Sequence, residues 1–89
     1  MTIIINKCYG GFHIPEALCE ATGLERYDDI DRTDSRLVEF VQSHGGDYRE
    51  GCARLVAVEV PEDATDWELD EYDGFESIIY VVDGKLYHT

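Results

Sequence analysis

"DWELDEYDGFESIIYVVDGKLYH", residues 66–88, holds Asp-Gly pairs at 73–74 and 83–84. Asp-Gly between alternating runs marks a type I′ turn, whose two central residues both need positive φ. The two pairs predict a meander of strands near 66–72, 75–82 and 85–88. Two-residue turns also fix the register. Val82 should face Lys85, Tyr80 should face Tyr87 and Trp67, and Leu69 should face Ile78. Trp67, Leu69, Ile78, Tyr80, Val82 and Tyr87 then share one side, the predicted core face. If the indole is buried there, Trp67→Ala should cost about 3–5 kcal/mol. One conflict stands in this register. Glu71 falls opposite Glu76, which is unfavourable for like charges, so a wider loop is expected at that turn.

Just upstream, "EVPEDATDWELDEYDGFE" (residues 59–76) packs nine carboxylates with no Lys, Arg or His. Glu68 and Asp70 alternate with Trp67 and Leu69, so they point away from the core face. Glu62, Asp63 and Asp66 lead into this strand, and Asp73 sits in its turn. Such a row can protect a sheet edge against aggregation. It can also serve as a recognition surface. Formal charge is −13, from 20 acids against 7 bases. That field repels nucleic acid and anionic membrane and attracts basic surfaces. Direct nucleic-acid binding is therefore disfavoured, since such domains carry the opposite balance.

The chain of 89 residues has length for a single domain, 1–89. "TIIIN" (2–6) reads as a buried strand, and Gly10-Gly11 as a turn. "PEALCEATG" reads as a short helix opened by Pro15 and closed by Gly23, with Ile14, Leu18 and Ala21 on one face. "ERYDDIDRTD" is a loop. Asp34 suits the N-cap of "SRLVEFVQSHGG", whose Leu37, Val38 and Val41 form a stripe with Phe40 at its margin. "ARLVAVEV" (53–60) is the strongest strand, predicted central and beside the N-terminal one. The expected fold is α+β: a four- or five-stranded, largely antiparallel sheet with two short helices on one face. "MTIIINKCYGG" has neither a basic leader nor a long apolar run, so a cytoplasmic protein without a membrane span is expected.

Signals for chemistry are weak. Asp29, Asp31 and Thr33 alternate as in a calcium loop, but Asp34 stands where glycine is needed and Phe40 where the bidentate Glu belongs. Cys8, Cys19 and Cys52, with His13, His44 and His88, match no zinc spacing. The cysteines are odd in number without a CxxC pair, which fits reduced, buried thiols. Lys7, Cys8 and His13 lie close together, so a small cysteine- or metal-dependent enzyme using the Cys8–His13 segment is an alternative. No catalytic residue, metal ligand or cofactor is assigned.

"INKCYGGF" (5–12), "YDDIDRTDSRLVEFV" (27–41) and "VEVPEDATDWELDEYDGFE" (58–76), in that order, resemble a family of small, acidic, uncharacterised proteins of bacteriophages and prophages. The likeness spans most of residues 3–76. At the C-terminus the chain departs from it, running "SIIYVVDGKLYHT" where members tend to end in a short basic-aromatic tail. The resemblance implies a phage context in a bacterial host cytoplasm, and no activity. The expected function is that of a non-enzymatic binder, in one version an anti-CRISPR-like inhibitor that mimics nucleic acid before a basic, nucleic-acid-binding host protein. An accessory phage protein whose charge serves solubility is a further alternative. The expected contact surface is Glu68, Asp70, Glu71, Tyr72, Asp73 and Phe75, with the two aromatics as anchors inside a charged rim.

Overall fold

Two antiparallel sheets and two helices stack in three layers. The computed structural model describes residues 1–9, 11–25 and 30–89. The order is β1 (Thr2–Asn6), α1 (Glu16–Thr22), α2 (Ser35–Ser43), β2 (Asp47–Glu50), β3 (Ala53–Glu59), β4 (Asp66–Tyr72), β5 (Phe75–Val82) and β6 (Lys85–His88). The architecture is α+β, with both helices on one face of an antiparallel sheet, as the sequence predicts. The strands number six rather than four or five, and they divide into sheets ordered β1-β3-β2 and β4-β5-β6.

β3 is the central strand of the first sheet, with β1 antiparallel beside it in the register Thr2↔Glu59 to Asn6↔Leu55. Alternation then sorts the side chains. Ile4 and Leu55 face the helices and pack with Ile14, Leu18, Leu24, Leu37 and Val41. Ile3 and Ile5 face the other way, against Val60 and Ile78. A strand buried on both faces reads as a continuous apolar run, which is why "TIIIN" shows no alternation. α2 is capped by the Asp34 carboxylate, which accepts from Arg36 N–H at 2.9 Å. α1 ends on Gly23 in the left-handed conformation. Ala21 is exposed rather than on the buried face with Leu18 and Ile14.

The meander forms in the predicted register, including Trp67↔Tyr80, Leu69↔Ile78, Tyr80↔Tyr87 and Val82↔Lys85. Both turns have positive φ at Asp and Gly, 56° and 87° in the first and 50° and 74° in the second. Glu71 does stand opposite Glu76, and the loop is no wider than two residues. The like charges are reconciled by unequal burial. Glu71 is exposed, whereas Glu76 turns inward and is 2% exposed. There both its oxygens accept from the Arg32 guanidinium, at 2.5 and 2.8 Å. Oε1 also accepts from Asn6 N–H at 2.7 Å.

The predicted core face needs correction. Of its six members only Ile78 is fully buried, Tyr80 and Val82 are half-buried, and Trp67, Leu69 and Tyr87 are exposed at 38%, 37% and 44%. The five residues of β1 are too few to cover the whole meander, so its β4 and β6 sides overhang.

Two substitutions separate these roles. Arg32→Ala strands a buried carboxylate and should cost about 3 kcal/mol. Trp67→Ala should cost about 1 kcal/mol, well below the loss expected of a buried indole. Chemical denaturation of both variants ranks them; a larger loss for Trp67→Ala would overturn the assignment.

Candidate partner-binding surface

β4 forms one edge of the meander, and all seven of its residues are exposed. Alternation places Glu68, Asp70 and Tyr72 on the outer face, with Asp66 in line. Opposite them on β5 stand Ile79, Ser77, Phe75 and Val81 respectively. Glu71 lies on the inner face, and Asp73 projects from the turn. The sequence therefore brings Glu68, Asp70, Tyr72 and Phe75 onto one surface, with Glu71 around the edge and Asp73 at the tip.

The two predicted anchors differ. Tyr72 is 76% exposed, but Phe75 is half-buried. The Phe75 ring lies 5.1 Å from that of Tyr9, and the Lys7 ammonium sits 4.8 Å from its centroid. Tyr9, itself exposed, thus extends the aromatic corner beside Tyr72. Nothing local in the sequence points to Tyr9. It arrives there because Asn6 Nδ2 donates to both Cys8 O and Gly74 O, each at 2.8 Å, tying the end of β1 to the β4–β5 turn.

The charges on β4 are uncompensated. Among the described residues, Asp66, Glu68, Asp70, Glu71 and Asp73 form no ion pair. The arginines among the described residues are engaged elsewhere: Arg32 with Glu76, Arg36 with Asp34, and Arg49 and Arg54 with Asp47. Arg54 holds the Asp47 carboxyl below its ordinary value of 3.8, chiefly through its hydrogen bonds. Arg36 does the same for Asp34, and the Thr33 hydroxyl and N–H do so for Asp31.

The Cys8–His13 segment lies between β1 and α1. Cys8 Sγ lies 3.9 Å from Tyr9 O, and His13 Nδ1 lies 3.5 Å from Gly11 O. His13 lines a shallow concavity of about 290 Å³ with Glu16, Glu50 and Cys52. Cys52 is exposed in the β2–β3 turn rather than buried, and Cys8 and Cys19 are half-buried. Glu50 is already committed, accepting from Tyr48 O–H at 2.5 Å and Ala17 N–H at 3.1 Å. The hydrogen bond that the Tyr48 hydroxyl donates to Glu50, reinforced by burial, favours the neutral phenol, so its pKa is pushed up to about 12. Among the described residues, no group of three or more His, Cys, Asp or Glu is placed to hold a metal ion. The calcium-like spacing includes Asp29, which lies outside the described residues, and Asp31 and Asp34 serve the turn and the helix cap. No helix among the described residues is long and apolar enough to cross a membrane.

Compared with protein-family models, curated proteins and solved structures, the chain matches none.

Salt and acid should act on different acids. Screening relieves repulsion along β4, so the melting temperature should rise from low to physiological ionic strength. Asp47, with its folded pKa depressed, contributes stability above the unfolded value and loses it as pH falls through the folded one. Asp47→Asn should therefore keep the salt response and lose part of the acid destabilisation below the ordinary Asp range. Thermal melts against salt and pH read both effects; an unchanged acid limb in the variant would remove Asp47 from the account.

Proposed function

We propose that this chain is a non-enzymatic binding protein that presents the acids of β4 and its turn to a basic protein surface. The supporting observation is the segregation of charge. Arg32, Arg36, Arg49 and Arg54 all pair with acids outside β4, while Glu68, Asp70, Glu71 and Asp73 pair with none among the described residues. Same-face carboxylates on a strand repeat about every 6.8 Å, a linear anionic array that steers a cationic partner and sets its register. Tyr72, projecting from that array, supplies an aromatic anchor. The resemblance to small acidic phage and prophage proteins supports a bacterial host cytoplasm as the setting. The carboxylate array, spaced along a strand like a row of phosphates, supports a nucleic-acid-binding host protein as the partner, as in an anti-CRISPR-like inhibitor. The contact surface of this reading is Glu68, Asp70, Glu71, Tyr72, Asp73 and Phe75.

Affinity capture from bacterial lysate tests it, comparing the wild type with the combined variant Glu68→Gln, Asp70→Asn, Glu71→Gln and Asp73→Asn. The expected result is a basic, nucleic-acid-binding partner that salt and competing nucleic acid displace and the variant fails to retain. Identical partners for both proteins would return the acids to solubility and edge protection.

A further inference from the structure

The free edge of β4 and the side chains on its two faces specify more than a sign of charge. We infer that the partner adds to β4 as an extended strand in which basic and apolar residues alternate. The inference rests on the acidic-surface reading above and gives its partner a backbone conformation.

Three observations combine. β4 is the longer of the meander's edge strands, seven residues against four in β6, and it pairs on one side only. No backbone hydrogen bond joins its other side to any described residue. In a two-residue hairpin the closing pair, here Tyr72 and Phe75, exchanges hydrogen bonds, and bonded and non-bonded pairs then alternate. Trp67, Leu69 and Glu71 accordingly direct their N–H and C=O groups toward the open edge.

Apolar exposure supplies the second observation. Trp67 and Leu69 overhang on the inner face, 38% and 37% exposed, beside the stacked rings of Tyr80 and Tyr87 at 5.4 Å. A partner strand beside β4 would cover both with apolar side chains on that face.

The third is charge complementarity. Asp66, Glu68 and Asp70 line the opposite face, so the residues of the added strand that point there should be Lys or Arg. Opposite Glu68 and Asp70 an added antiparallel strand makes non-hydrogen-bonded pairs, in which side chains approach most closely. A second copy of this chain is a poor occupant, because β4 against β4 sets acid opposite acid. The pattern therefore admits basic strands and rejects the chain's own. Strand addition of this kind draws affinity from main-chain hydrogen bonds and specificity from alternate side chains.

Peptides of β4's length test the idea on the intact protein. One alternates Lys and Val, a second scrambles that composition, and a third repeats the alternating order with its edge-facing amides N-methylated. Trp67 is the chain's only tryptophan, so its fluorescence reads binding directly. The alternating peptide should bind about tenfold tighter than the scrambled one. It should shift Trp67 emission to the blue and slow amide exchange at Trp67, Leu69 and Glu71. N-methylation should abolish these effects without touching the protein. Equal, salt-sensitive binding of all three peptides would overturn strand addition while leaving the acidic-surface reading in place. Side-chain chemical-shift changes confined to Ile79, Val81 and Leu86 would overturn it in favour of docking on the outer face. Failure of every peptide to bind would overturn it as well, and the lysate capture would then decide the broader reading by itself.

Discussion

The bidentate pair between Arg32 and Glu76 holds the three layers together. β1 is an edge strand of its own sheet, and its outward N–H groups need partners. Ile4 N–H finds Arg32 O at 2.8 Å, and Asn6 N–H finds the Glu76 carboxylate. Arg32 thus supplies a backbone acceptor to β1 and its guanidinium to Glu76. The same guanidinium lies over the Phe12 ring at 3.6 Å. One residue thereby links the loop before α2, the segment before α1, the edge of β1 and the start of β5. Buried ion pairs seldom add much net stability over apolar packing, but removing one partner is costly. The pair is therefore better understood as fixing which edge meets which turn than as a source of stability.

That arrangement accounts for what sequence reasoning reached and what it missed. Asp-Gly chemistry is local, so the meander and its register were legible, as were the Asp34 cap and the central position of "ARLVAVEV". The burial of Glu76 was not, because its partner Arg32 lies 44 residues away. The strand β2 was missed for a related reason. "DYRE" carries no apolar alternation, and it pairs because β3 offers an edge and Asp47 can grip Arg54. The division into two sheets also escaped notice. Period-two alternation reveals which residues share a face, not how much of that face another layer can reach.

The acidic surface was legible in composition and alternation, whereas its aromatic corner was only half so. Tyr72 follows from strand parity, but Tyr9 depends on the Asn6 clamp onto Gly74. An overhanging edge strand is normally an aggregation hazard, and charge is one of the devices that blunts it. Here the same row of charge leaves an apolar pair, Trp67 and Leu69, accessible beside it. Charge of one sign along the edge disfavours pairing with a second copy of itself.

The placement of the arginines has an electrical consequence. Residues 1–60 contain eleven acids and six bases, whereas residues 61–89 contain nine acids and one base. The shorter segment thus holds the larger excess of negative charge. The molecule is polarised as well as charged, and a cationic surface exerts a torque on it as well as an attraction. Across a screening length of about 8 Å at physiological ionic strength, that torque acts before any side chain touches. Collisions should then arrive with the meander already turned toward the positive charge, so that orientation is partly settled during approach.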